Sequence, residues 1–387
     1  MKSQVFSIFF ALFGFGCATF SPNAVKPVVQ FGVEVQKGGI LSASYFDSFD
    51  KVISKKEIGW VNAGPFLVGW DARDDHGKQV PKGNYRWEVT VKSPSYSWTK
   101  TLLYPGSLSG QLHFPAGLAT GGSKGKPSIF VVDHGNHRVQ VFDVDGIPIR
   151  QFGSYGTSTQ ALNLPTGLAL ANGVVYISDT GNNRIQKFSE SGDYLGSFAS
   201  ATGVMPELNS PRGILFDSMG NLLVADCFND RIQVLDAFGQ LRLSLGGFGT
   251  ADGFFKRPEA VCADTEGNYY VADTGGHRIQ VFSRNGFWKK TFGKEGSGPG
   301  NIESPASLLI DSGLLFVSDR GNHRVQALTL NGEAVWQSGI SELDTPEGLA
   351  IADGLLYVAD SGTHDIKVFS LKTETQTLQG TVDIAKP

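Results

Sequence analysis

The most conspicuous chemical groups in the sequence are an aspartate and an arginine five residues apart, and the pair recurs. The segments are D-H-G-N-H-R from Asp133, D-T-G-N-N-R from Asp179, D-C-F-N-D-R from Asp226, D-T-G-G-H-R from Asp273 and D-R-G-N-H-R from Asp319, followed by an altered D-S-G-T-H-D from Asp360. A carboxylate beside a guanidinium could bind an anion or orient a reacting group. One active site needs one such pair, however, and six copies predict a structural part: Asp satisfying turn amides, Arg bridging neighbouring units. His137, His277, His323 and His364 share one position of the unit, filled elsewhere by Asn183 and Asp230. Equivalent positions of separate units lie far apart, so no zinc cluster is expected there. Asp71, Asp74, Asp75 and His76 form a second polar group. Their spacing is not that of an EF-hand loop, and they read as turn formers. No G-x-S-x-G, H-E-x-x-H or Walker pattern occurs. The expectation is therefore no catalytic set, no metal and no cofactor.

The unit that must position these groups is about 46 residues long, since the aspartates step by 46, 47, 47, 46 and 41. Each copy has an upstream proline: Pro115, Pro165, Pro211, Pro258, Pro305 and Pro346. In the second copy G-L-A-L-A (167–171), V-V-Y-I-S (174–178), R-I-Q-K-F (184–188) and Y-L-G-S-F (194–198) read as four short strands, with Ile185 and Phe188 facing the core. Asn172-Gly173, Gly181-Asn182 and Ser191-Gly192 punctuate them as turns. Four strands repeated six times predict an all-β, six-bladed β-propeller over residues 97–387, in which each blade covers its neighbour.

The order P-x-G-[LI]-x, then [VI]-x-D-x-x-x-x-R-[VI]-Q-[VK]-F, resembles the NHL repeat and spans about residues 112–380. Copy six departs, with Asp365 in place of Arg and Lys367 in place of Gln, as terminal repeats often do. Residues 97–115 align without gaps to 287–305, which hold the fourth strand of blade four and the link onward. The segment 97–103 therefore looks like a fourth strand lacking a blade, and is expected to complete blade six. The competing closure uses T-Q-T-L-Q-G (375–380) as the outer strand. Peptidylglycine amidating lyases are similar propellers that hold zinc through histidines, some directly after the repeat proline. None of the six post-proline residues here is His, and His113 has no partner at its offset, so that zinc centre does not carry over.

Residues 27–96 lack the repeat. W-D-A-R-D-D-H-G-K-Q-V-P-K-G-N-Y (70–85) resembles the Ig-like domain of flagellar hook-capping proteins, with Ala72 where glycine is usual. The resemblance implies a small β-sandwich with Trp70 and Tyr85 as packing residues and turns at His76-Gly77 and Lys82-Gly83. Such a module implies a spacer or adhesion role. Residues 1–18 read as an export signal, with Lys2 before an apolar run from Val5 to Phe15. L-F-G-F-G-C-A resembles a lipobox, which implies lipidation of Cys17 and, because Ala18 rather than Asp follows, an outer-membrane address. Plain cleavage after Ala18 is the alternative and would give a secreted or periplasmic chain. Membrane contact is expected only through such an anchor. Cys227 and Cys262 lack zinc-ligand spacing and read as free, buried thiols. A formal net charge of −4 and the absence of a basic face argue against a nucleic-acid partner.

Alternating strand direction places the links entering strand one, and the loops between strands two and three, on one face around the central channel. Ala116, Thr166, Arg212, Glu259, Ala306 and Glu347 follow the repeat prolines and should ring its mouth. His134, Thr180, Phe228, Thr274, Arg320 and Ser361 should lie nearby. These residues vary among blades, so they break the symmetry where a ligand could read it. Arg212, Glu259, Glu347 and Arg320, with Thr166 and His134, are the expected ligand-binding residues. The function this predicts is a non-catalytic binding platform of the bacterial cell envelope for a protein, peptide or glycan. The alternative is a propeller lyase or hydrolase using Glu259 and Glu347, with or without a divalent metal.

Overall fold

The computed structural model describes residues 29–384 except 37, 62, 82, 103, 106–109, 124–125, 199–206 and 340. The export signal, Cys17, Lys82 and part of the 103–109 loop lie outside the described residues. Among these residues no helix is long and apolar enough to cross a membrane.

The N-terminal part is built from β1 (Val29–Val35), β2 (Gly39–Phe46), β3 (Val52–Val61), β4 (Gly64–Trp70) and β5 (Gly83–Leu102). β1 pairs with β4 in one sheet, and β2 lies between β3 and β5 in the other. β2 buries every second residue, Leu41, Ala43 and Tyr45 among them, as a strand with one solvated face must. Val68, Trp70, Val89 and Val91 meet them in the core, where Tyr45 stacks on Trp70 at 4.4 Å and Tyr85 closes the edge. The acidic turn does the work expected of it. Asp74 Oδ1 accepts the amides of His76 and Lys78, Asp75 Oδ1 accepts that of Lys55, and Asp71 pairs with Lys56. Ala72 sits at φ 56°, the conformation that explains glycine's preference at this point.

Blades one to five are four-stranded antiparallel sheets. In blade two the strands are Leu168–Ala171, Val174–Asp179, Arg184–Ser189 and Tyr194–Phe198, with Ile185 and Phe188 buried. Gln186 is buried as well, although alternation would turn it outward. Its amide donates to Asp179, and that bond offsets the cost of burying a polar group. Six apolar clusters fill the spaces between successive blades. The one joining blade six to blade one contains Leu118, Ile129 and Val131 with Tyr357, Ala359 and Ile366, so the ring is closed by packing. Cys262 lies in the interface of blades four and five and Cys227 in the short turn after Asp226; both are free and buried, with burial raising both thiols and taking Cys227 to about 12.

Backbone pairing closes the ring too. The C-terminal strand Asp365–Ile384 is the third strand of blade six, and its first half pairs with the end of β5, Ile366 opposite Leu102 and Phe369 opposite Trp98. A register shift at Val368/Phe369 matches the one at Val281/Phe282 in blade four, where Phe282 faces Trp288. Residues 97–102 thus occupy the fourth-strand place. The segment 375–380 does not form an outer strand of blade six. It continues the same strand and pairs with residues 87–92 of the Ig-like sheet. The sheet order runs from blade six through β5 into β2 and β3, so the boundary drawn at 96–97 falls within one continuous strand.

Candidate functional site

The repeat residues build the frame. The six repeat aspartates are fully buried. Asp179 Oδ1 accepts the amide of Asn163 in the incoming link, and its Oδ2 accepts Arg184 Nε at 2.6 Å and Gln186 Nε2 at 3.0 Å. Arg184 then donates onward to the carbonyls of Ser158 and Ala161. The same set recurs around Asp133, Asp226, Asp273 and Asp319. Each Asp–Arg pair therefore fastens the link entering its own blade. In blade six, where Asp365 replaces Arg, Asp360 still caps two link amides and Lys367 pairs with Asp365.

The shared histidine position has a separate task. After a short 3-10 turn, His137, Asn183, Asp230, His277 and His323 adopt φ 52–56°. His, Asn and Asp are the non-glycine residues enriched in that conformation. His137 Nδ1 accepts the amide of Leu164, Asn183 Oδ1 that of Ser210, Asp230 Oδ1 that of Arg257, His277 Nδ1 that of Ser304 and His364 Nδ1 that of Phe114. Each tie runs to the residue before the next blade's proline, so this position, rather than the repeat Arg, bridges blades. Acceptance requires neutral imidazole, and burial holds His137 below the usual histidine value, partly opposed by Asp133 and Asp179.

Near the axis the innermost strands approach closely. A Cβ on Gly167 would lie 2.1 Å from the carbonyl of Arg212, and one on Gly348 would lie 2.3 Å from that of Ala116. Gly117 and Gly213 donate their amides to the carbonyls of Thr166 and Glu259 at 2.8 Å. The post-proline backbone is thereby fixed, and its side chains ring a cavity of about 660 Å³. Thr166, Arg212, Glu259 and Glu347 line it, together with His134 and Arg320. All six expected binding residues thus share one cavity.

Four of them form a chain of ion pairs across blades three to six. Arg212 Nη1 lies 3.1 Å from Glu259 Oε2, and Arg320 Nη1 lies 3.0 Å from both Glu259 Oε2 and Glu347 Oε1. Arg320 is the symmetry breaker. At its position His134, Thr180 and Thr274 each bond the carbonyl of the next blade's proline. Arg320 leaves that task and reaches the two glutamates. Burial works against its charge, but Glu347 and Glu259 outweigh burial and hold its pKa above the ordinary arginine value. Burial raises the Glu347 carboxyl, Glu259 adds to that, and Arg320 opposes it. His134 is held below the ordinary histidine value, chiefly by burial. In blade three the residue in the register of Arg320 is Cys227, which is buried; Phe228 is the next residue and is 55% exposed. Phe114, Tyr155, Leu164, Phe248 and Phe254 are further exposed apolar groups on the links of this face. Deeper in the channel Leu170, Phe216, Ile310 and Ile351 make the wall apolar.

Among the described residues no group of three or more His, Cys, Asp or Glu side chains is arranged to hold a metal ion. The mouth presents two guanidinium and two carboxylate groups in alternation, with the Glu347 carboxyl shifted upward.

Comparison with known proteins matches this architecture. The NHL repeat model matches residues 162–188, 255–282 and 343–369, and the FlgD Ig-like domain model matches residues 36–95. The chain is 32% identical over 72 residues to the basal-body rod modification protein FlgD of Salmonella typhimurium. The match covers 18% of this chain and spans 31% of that protein's length. A streptogramin B lyase structure superposes with a TM-score of 0.51 at 14% identity, covering 72% of this chain and 98% of the other. A gluconolactonase of Xanthomonas campestris superposes at 0.53 and 15% identity, covering 76% and 99%. These likenesses show the propeller fold.

Proposed function

We propose that this NHL-repeat propeller, with its FlgD-type Ig-like domain, is a non-catalytic binding platform that recognises a protein, peptide or glycan at the channel mouth. The observation that carries this reading is the convergence of Arg212, Glu259, Arg320 and Glu347 from four blades on one cavity. Arg320 is spared from the bond to the next blade's proline carbonyl that His134, Thr180 and Thr274 make. Exposed aromatic groups on the same links extend the contact surface, as recognition faces commonly do. In this reading the chain is exported and acts in the bacterial envelope, anchored through Cys17 or released there. The apolar run before Cys17 supports that placement, and mass analysis of the mature N-terminal peptide tests it.

The test of function is affinity capture from envelope extracts with the parent chain and with the Arg212→Ala/Glu259→Ala/Glu347→Ala variant, matched for melting temperature. A partner held by the parent and lost by the variant is the expected outcome. A partner held equally by both moves the site away from the mouth. One observation favours a second reading, a propeller lyase or hydrolase: the raised carboxyl of Glu347 in a cavity. Stoichiometric divalent metal in the purified chain, with metal-dependent turnover abolished by Glu347→Gln, would select it.

A further inference from the structure

We infer that the mouth anchors its ligand by a carboxylate that carries an apolar group, with Arg212 as the anchor. The inference rests on the channel mouth being the binding site and adds the chemical class of the group it grips. Arg212 is under-compensated where it stands. Its Nη1 pairs with Glu259, but Glu259 also accepts two nitrogens of Arg320, at 3.0 and 3.3 Å. Its Nε is buried with no hydrogen-bond partner. Nε itself is sealed from the cavity, but the side chain is 32% exposed, and a planar carboxylate fits the open edge of its guanidinium. Arg320, by contrast, is matched by two glutamates and has no such demand.

The surroundings select the rest of the ligand. Beside Arg212 in the ring stand Thr166 and, further round, Ala116, small residues that leave room. Thr166 is already engaged with Thr180 at 2.7 Å and brings no competing charge. Below the mouth Leu168, Ile214, Leu308 and Leu349 line the cavity, so a group attached to the carboxylate and directed inward meets an apolar wall. A cavity of about 660 Å³ accommodates a side chain of leucine or phenylalanine size with its carboxylate. The C-terminal residue of an apolar-ended peptide has this chemistry.

The experiment is calorimetric titration of the full chain with N-acetyl-leucine, N-acetylleucinamide and acetate. The acid is expected to bind with roughly millimolar affinity or better, and both the amide and acetate about tenfold or more weakly. Arg212→Met should abolish binding of the acid. Glu259→Gln, which releases Arg212 from its partner, should tighten it, a gain that a misfolded variant could not produce. Equal affinity for acid and amide, no binding of the acid, or unchanged binding in Arg212→Met overturns the assignment of a carboxylate. Acetate binding as tightly as the acid overturns the apolar half. If the acid fails while Arg212→Met still loses the captured macromolecule, the mouth remains the binding site and only the carboxylate is wrong.

Discussion

The buried Asp–Arg pair shows how residue identity and role separate in this molecule. Asp179 is fully buried against a largely buried Arg184, so removing one partner strands the other. Asp179→Ala should lower unfolding free energy by about 3–5 kcal/mol in urea denaturation. Arg320→Thr should behave differently, because Thr274 shows that threonine at this position bonds the next proline carbonyl. The threonine bond should offset part of the loss, but Glu347 without its guanidinium should rise further, so the variant should melt closer to the parent at about pH 4 than at about pH 7.5, with NMR titration following the carboxyl. His137 gives a pH signature. Its folded-state pKa lies below the usual 6.5, so the unfolded chain binds the proton more readily. Its contribution to stability is complete above 6.5 and is lost as pH falls from there through the folded value. His137→Asn, which copies Asn183, should shrink the stability difference between about pH 7.5 and pH 5.5. The repeated Asp and Arg were legible as structural from their number alone. That Gln186 and His137 also serve the frame was not: strand alternation would turn Gln186 outward, and the amide that His137 accepts belongs to the next blade, which only the closed ring brings near.

At the level of elements, the long pairing of β5 with the C-terminal strand sets what can be removed. Residues 366–374 pair with 93–102 to close blade six, whereas 375–384 pair with 83–92 in the Ig-like sheet. Deleting residues 376–387 should leave blade closure in place and bare one edge of β5. Hydrogen exchange should then quicken at residues 86–91 and remain slow in blades two to five. Exchange that quickens in blade six instead would show that the far end of the strand holds the ring. The match of 97–115 to 287–305 made the fourth strand readable. The run of β5 back through residue 83 was not readable, because 83–96 carries no repeat and its partner lies at the other end of the chain.

For the molecule as a whole, radial repetition turns positions far apart in sequence into neighbours at one mouth. Arg320 meets Glu259 across 61 residues and Glu347 across 27. Reading the post-proline positions as one ring was possible because the repeat fixes their place. That they join into a single chain of ion pairs, with Arg320 diverted from a fold-keeping bond, depends on distances that only the closed ring supplies. The far end of the channel, with Asp311 among apolar residues, gave no such cue in the sequence. The most direct test of the binding-platform account is hydrogen–deuterium exchange of the full chain with and without its captured partner. The account predicts new protection at the mouth segments 113–116, 164–166, 209–212, 257–259 and 345–347. Protection confined to the outer hairpins of the blades or to the Ig-like domain, with the mouth unchanged, would contradict it.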